Sequence, residues 1–202
     1  DEETGEKVAE SDEMAGNVGY AMNPILYADG KLFVQVGNGV IQALDYETLK
    51  CVWKTEAVGG QTVSPISYTE VDGKGYIYTG TWSGEFNDGT FFCISTDDEG
   101  VVDGVKEPEW QFVPSGSTLE TDPDVKYDPD LHDTLGDEDS VATRGFYWAG
   151  AYATENYVAV GSDDGTREGD YTANGVFYTL DPTTGEIIDK ISGIKGDIRT
   201  TT

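Results

Sequence analysis

Read for its alternation of apolar and polar positions, the chain is a succession of short extended segments. Leu32-Phe-Val-Gln-Val36, Gly75-Tyr-Ile-Tyr-Thr79 and Tyr157-Val-Ala-Val160 are typical of them. Each is rich in β-branched and aromatic residues, whose side chains suit a pleated, half-buried surface. Gly-containing turns interrupt the pattern about every ten residues, the spacing of many short strands. No segment has the 3.6-residue period of a long amphipathic helix. The pattern predicts an all-β fold.

The segments repeat. Gly19-Tyr-Ala-Met-Asn-Pro-Ile25, Gly60-Gln-Thr-Val-Ser-Pro-Ile66, Gly145-Phe-Tyr-Trp-Ala-Gly-Ala151 and Gly196-Asp-Ile-Arg-Thr-Thr-Thr202 align without gaps, at intervals of 41, 85 and 51 residues. Each of the first three leads to a turn (Asp29-Gly30, Asp72-Gly73, Glu155-Asn156) and then to a second strand. A third strand follows at 39–45, 89–95 and 175–181, and a fourth at 50–54, 110–113 and 186–192. Four antiparallel strands in each unit of about 40–50 residues describe the blades of a β-propeller. The expected organisation is one propeller segment. Residues 1–11 would be the outer strand of a preceding blade, and 18–54, 60–113 and 144–192 three whole blades. Residues 114–143 would be an insertion, and 196–202 the first strand of a next blade.

The sharpest local motif joins third strand to fourth. Ala43-Leu-Asp45-Tyr-Glu-Thr48-Leu-Lys50-Cys-Val-Trp53 recurs as Thr179-Leu-Asp181-Pro-Thr-Thr184-Gly185-Glu186-Ile-Ile-Asp189, and headless as Asp1-Glu-Glu-Thr4-Gly5-Glu6-Lys-Val-Ala9. Asp accepts backbone N–H bonds in an Asx turn, Thr adds a hydroxyl, and Gly takes φ > 0 at the tip. A Trp ending the outer strand is placed to lie over the neighbouring unit. This pattern, A-x-D-x-x-T-G-[KE]-x-x-W, resembles the tryptophan-docking motif of the quinoprotein-type, PQQ-like β-propeller repeats. Residues 43–53 match five of its six specified positions, Leu49 standing where Gly is usual. The copy at 181 has Asp189 in place of Trp, and the second unit keeps Trp110 without the Asp-x-x-Thr spacing. The segments GFYWAGAYAT, GSDDG and GDIR also look like those of propellers from bacterial surface-exposed proteins. The resemblance implies a PQQ-like propeller. Three blades fall short of the four to eight needed for closure, so we expect completion by further blades or by another copy.

Charge narrows the function. With 12 basic and 39 acidic residues, the net charge is −27, which repels nucleic acid and anionic lipid. No apolar run approaches the length of a membrane span, so no membrane insertion is expected. Between Asp97 and Asp139 there are 15 carboxylates against 2 lysines. The densest part, 120–139, has no period of 2 or 3.6 and reads as a solvated insertion.

The quinoprotein enzymes, as a class, use an adjacent cysteine pair, a stacking Trp and a Glu/Asn/Asp calcium site with a catalytic Asp. Cys51 and Cys93 lie 42 positions apart, and Trp53 belongs to the scaffold motif. PQQ is therefore not expected, and no catalytic residue is assigned. His132, the sole histidine, lies in the acidic insertion and makes no Ser/His/Asp constellation. No Gly-rich phosphate loop precedes a helix. Asp122, Asp124, Asp128 and Asp130 supply hard oxygens and are the candidates for a Ca²⁺ ion, although the EF-hand pattern is absent.

Propellers bind ligands at the channel mouth, which the blade openings line. The aligned openings nominate Tyr20, Met22, Gln61, Tyr147, Trp148 and Arg199. Asp45, Thr48, Trp53, Trp110, Asp181, Thr184 and Gly185 are assigned to structure. The expected function is a non-enzymatic recognition scaffold, extracellular or on a bacterial surface, binding a protein, glycan or small molecule. A degenerate quinoprotein oxidoreductase with its cofactor residues elsewhere, and an assembly platform for partner proteins, are the alternatives.

Overall fold

The computed structural model describes residues 1–15, 24–57, 64–81, 90–112, 145–146, 148, 150–162, 175–194, 196 and 198. Among them the strands form three four-stranded antiparallel sheets, each a meander in chain order. Sheet 1 holds β1 (Leu26–Ala28), β2 (Lys31–Val36), β3 (Val40–Asp45) and β4 (Cys51–Lys54). Sheet 2 holds β5 (Ser67–Val71), β6 (Lys74–Gly80), β7 (Phe91–Ser95) and β8 (Trp110–Phe112). Sheet 3 holds β9 (Tyr152–Ala153), β10 (Val158–Gly161), β11 (Gly175–Leu180) and β12 (Ile187–Ile194).

The first hairpin of sheets 1 and 2 turns at Asp29-Gly30 and Asp72-Gly73. Both residues of each turn take positive φ, 48° and 73° in one, 51° and 81° in the other. That is the backbone of the two-residue turn whose twist matches its flanking strands.

Neither hydrophobic core lies within one sheet. One is built from Phe33, Ile41, Ala43 and Trp53 of sheet 1 with Ile77, Phe92 and Ile94 of sheet 2. The other joins Tyr78, Phe91, Cys93 and Trp110 of sheet 2 to Val158, Val160, Val176, Tyr178 and Leu180 of sheet 3. Strand β7 feeds both: Phe92 and Ile94 face one way, Phe91 and Cys93 the other. This is the period-2 alternation of a strand buried on both faces. The first strands also meet, with the Ser67 hydroxyl on β5 donating to the Ala151 carbonyl just before β9. The sheets therefore stack face to face in order.

Two expectations change. The ladders of the first strands begin at Leu26, Ser67 and Tyr152, immediately after the aligned openings rather than within them. Residues 1–15 contain no strand. The Asp1 turn forms, with Gly5 N–H donating to the Asp1 carbonyl at 2.9 Å. Beyond that turn the chain meets sheet 1 through side chains, Lys50 to Asp12 at 2.6 Å and Ala15 N–H to Gln42 Oε1 at 2.7 Å, and joins no edge. The large apolar side chains left exposed include Tyr27 and Tyr46 on sheet 1 and Tyr152, Ile187, Ile188 and Ile191 on sheet 3, the two ends of the stack.

Candidate functional site

The third-to-fourth turns are built alike. Asp45 Oδ1 accepts from the Thr48 N–H and hydroxyl at 2.7 and 2.6 Å. Asp181 Oδ1 accepts from the N–H groups of Thr183 and Thr184 at 2.9 Å, and Asp1 Oδ1 from Thr4 N–H at 2.8 Å. Thr48 holds the Asp45 carboxyl below its usual range. Burial pulls Asp181 the other way, but the bonds from Thr183 and Thr184 prevail and keep it low.

Ladder register shows which outer-strand residues correspond. Ala43 pairs with Trp53, Cys93 with Trp110 and Thr179 with Asp189. Trp110 reaches from sheet 2 onto the Asp181 turn of sheet 3. Its Nε1–H donates to the Pro182 carbonyl at 3.1 Å, as does the Tyr78 hydroxyl, and the Cys93 thiol lies 3.8 Å from the same oxygen. Burial pushes the Cys93 thiol and the Tyr78 hydroxyl well up, so both remain protonated donors. Gly185 is obligatory here: a Cβ on it would stand 2.7 Å from the Trp110 ring, and its φ is +72°. Leu49 holds the same place with φ 57°, and the residue matching the docking Trp one unit earlier is Ala9, which brings no ring to exclude it.

Sheet 2 has Ser95 where the other sheets have Asp, and the docking of Trp53 changes accordingly. Residues 96–109 make a detour. Val102 and Val105 close a tight hairpin whose far side pairs in parallel with Lys54 of β4. Lys106 follows. Its side chain is 2% exposed, its Nζ lies 5.6 Å from the Trp53 ring centroid, and it reaches Asp97 Oδ1 at 2.7 Å and the Glu99 carbonyl at 3.0 Å. Burial would raise Asp97, but Lys106, the Glu99 N–H and Lys74 outweigh it and lower the carboxyl to about 2. The buried indole N–H of Trp53 finds no hydrogen-bond acceptor among the described residues. Sequence reading misses this cluster. A signal for it exists: Lys106 is one of only two lysines among 15 carboxylates.

At the hub the openings follow a second repeated contact. Phe146 seats on Gly80, with its N–H donating to the Thr81 carbonyl at 2.9 Å. Ile198 seats on Gly161, its N–H donating to the Ser162 carbonyl at 3.3 Å. Phe146 thus corresponds to Ile198 and not to Asp197, so the gapless alignment of the fourth opening is off by one. Arg199 then aligns with Tyr147 rather than Trp148. Two residues beyond buried Phe146, Trp148 is 36% exposed. Tyr20, Met22, Gln61, Tyr147 and Arg199 lie outside the described residues, as do Asp122, Asp124, Asp128 and Asp130.

No family model matches the chain, and no curated protein matches it. Solved structures do. A quinohemoprotein alcohol dehydrogenase from Pseudomonas putida superposes with a TM-score of 0.53 at 15% identity, over 86% of this chain and 26% of that one. The quinohemoprotein alcohol dehydrogenase from Comamonas testosteroni gives 0.52 at 15% identity, over 88% and 22%. The three sheets are blades of a β-propeller, the fold shared with those two proteins. The chain spans about a quarter of the length of these two structures. BamB from Moraxella catarrhalis is similar at a TM-score of 0.46 and 16% identity, over 84% of this chain and 36% of that one.

Each docking residue works within the propeller. Trp53 and Trp110 are buried between blades, and Cys51 is exposed on β4 while Cys93 is buried on β7. Among the described residues, no group of three His, Cys, Asp or Glu side chains is arranged for a metal, and no helix is long and apolar enough to cross a membrane.

Proposed function

We propose that this propeller segment is a non-enzymatic recognition scaffold, extracellular or on a cell surface, which binds through the channel mouth lined by its blade openings. The observation that carries the reading is the division of labour along one opening. Phe146 packs between blades, while Trp148, two residues on, is 36% exposed. Exposed aromatics with a polar handle suit apolar and sugar faces alike. The net charge of −27 and the scarcity of basic residues fit a soluble exposed protein with a neutral or cationic ligand. Completion of the ring by further blades or by another copy belongs to the same reading, because exposed apolar side chains gather on the two end blades, 1 and 3.

A panel of soluble oligosaccharides and short cationic peptides, screened against the immobilised chain, tests it. Binding that falls about tenfold or more in Trp148→Ala, with the fold intact, supports the mouth as the site; binding indifferent to Trp148 removes it. The competing reading is a quinone-dependent oxidoreductase, the activity named for the two structures above. Incubation with PQQ, Ca²⁺ and an electron-accepting dye separates the two. Alcohol-dependent dye reduction would overturn the scaffold reading.

A further inference from the structure

Blades 2 and 3 are joined through apolar rings and the carbonyls of Pro182, Ala151 and Thr81; blades 1 and 2 share, beside their apolar core, charged contacts of Lys31 and Asp29. Within blade 2, Lys106 and Lys74 both reach Asp97 and Lys74 also reaches Glu109 at 3.3 Å; across the seam, Lys31 of blade 1 reaches Asp98 of the detour at 3.1 Å. Asp29 in the first turn of blade 1 accepts from the hydroxyls of Thr96 and Tyr68 of blade 2. The detour also grips the backbone of blade 1: Lys54 N–H donates to the Gly104 carbonyl at 3.0 Å, and Lys106 N–H to the Lys54 carbonyl at 2.9 Å. One loop thus covers the outer edge of β4, carries the ammonium packed on Trp53, and supplies Asp98, the carboxylate that pairs with Lys31 of blade 1.

We propose that the 96–109 loop is a latch, and that the seam it closes is the joint at which this propeller opens. Three features make it separable. The ion pair that crosses the seam, Lys31–Asp98, is part-exposed, with the Asp98 side chain 59% accessible, so added salt screens it. Its central indole N–H is unsatisfied among the described residues, so little hydrogen bonding is lost there on parting. Its apolar partners are mainly isoleucines with Phe33, Trp53 and Phe92, against the five buried aromatics of the other seam. Lifting the latch exposes the edge of β4 and the socket of Trp53 together. The inference is independent of which ligand the channel mouth takes.

Hydrogen–deuterium exchange on the whole chain, read by mass spectrometry at low and high sodium chloride, tests it. The expected result is faster exchange at 51–56 and 102–107 than at 110–112 and 176–185, with only the first pair accelerated by salt. Lys106→Met keeps the aliphatic stem and removes the ammonium. It should raise exchange at 51–56 by roughly tenfold or more, since a hydrogen-bonded charge is lost there, and leave 176–185 unchanged. Equal exchange at the two seams, or salt acceleration of both alike, overturns the latch; so does a Lys106→Met protein with unaltered exchange at 51–56. The wild-type salt series decides the matter even if the variant fails to fold.

Discussion

The two seams of this propeller begin from the same residue and reach opposite solutions. Trp53 and Trp110 occupy matching ladder positions on β4 and β8. Trp110 finds a turn shaped for it: an Asx-capped loop, a glycine without a Cβ, and a proline carbonyl that also takes the Tyr78 hydroxyl. Trp53 finds a lysine. The difference follows from one substitution in the facing blade, Ser95 where Asp45 and Asp181 stand in the others. Without the Asp to organise the turn, the chain wanders for a dozen residues or so and supplies an ion-paired cation instead. The docking turn is therefore not needed to stack blades. It is needed to satisfy the indole N–H.

The sharpest way to break the contrast is at the better-made seam. Trp110→Ala removes a buried ring that touches Tyr78 and Phe91 and should cost about 3–5 kcal/mol in denaturant unfolding. Gly185→Ala should cost about 2–4 kcal/mol, from the positive φ and the ring contact together. Conservative replacement separates ring from N–H. Trp110→Phe strips Pro182 of a donor and should cost about 1–2 kcal/mol more than Trp53→Phe, whose indole N–H has no acceptor to lose among the described residues. Leu49→Gly, at the turn where no indole arrives, should change stability by only about 0.5 kcal/mol. A large loss there would mean that the Leu49 side chain has a packing role of its own.

Acid sharpens the comparison from the other side. The Asp97 carboxyl titrates lower in the fold, at about 2, than its ordinary value of 3.8. Its contribution is therefore present above pH 3.8 and lost as the pH falls towards about 2. Amide exchange at 51–56 should rise over that window before exchange at 176–180 does. Because Asp181 is also lowered, the turn at 181–186 is excluded from that comparison.

Much of this architecture is legible in the sequence, and the reasons are specific. Strands buried on both faces declare themselves as runs such as Phe91-Phe-Cys-Ile94, and a turn that needs Asp, Thr and Gly at fixed offsets can be found by counting. The correspondence of Trp53, Trp110 and Asp189, read from the motif alone, is the correspondence the ladders show. Sequence reading fails where geometry is not anchored to a repeated residue type. It aligns the fourth opening on Gly196, whereas the structure counts from the side chain that fills a glycine socket, Ile198 on Gly161 as Phe146 on Gly80. The strand expected over 1–11 is absent because a motif fixes a turn but cannot supply a ladder partner. Lys106 carries no motif at all; only its isolation among carboxylates marks it. Of the residues nominated for ligand binding, Trp148 alone falls where the structure speaks.

The central claim is that blade 2 is fastened to blade 3 by an indole reaching onto the facing turn, and a double-mutant cycle between Trp110 and Gly185 tests it most directly. Gly185→Ala should be costly in the native background and should cost only about 1 kcal/mol, from its positive φ, once Trp110 is already Ala, giving a coupling energy of about 1–3 kcal/mol. Additive costs, with no coupling between these two residues of different blades, would show that the indole does not rest on that turn and would contradict the account.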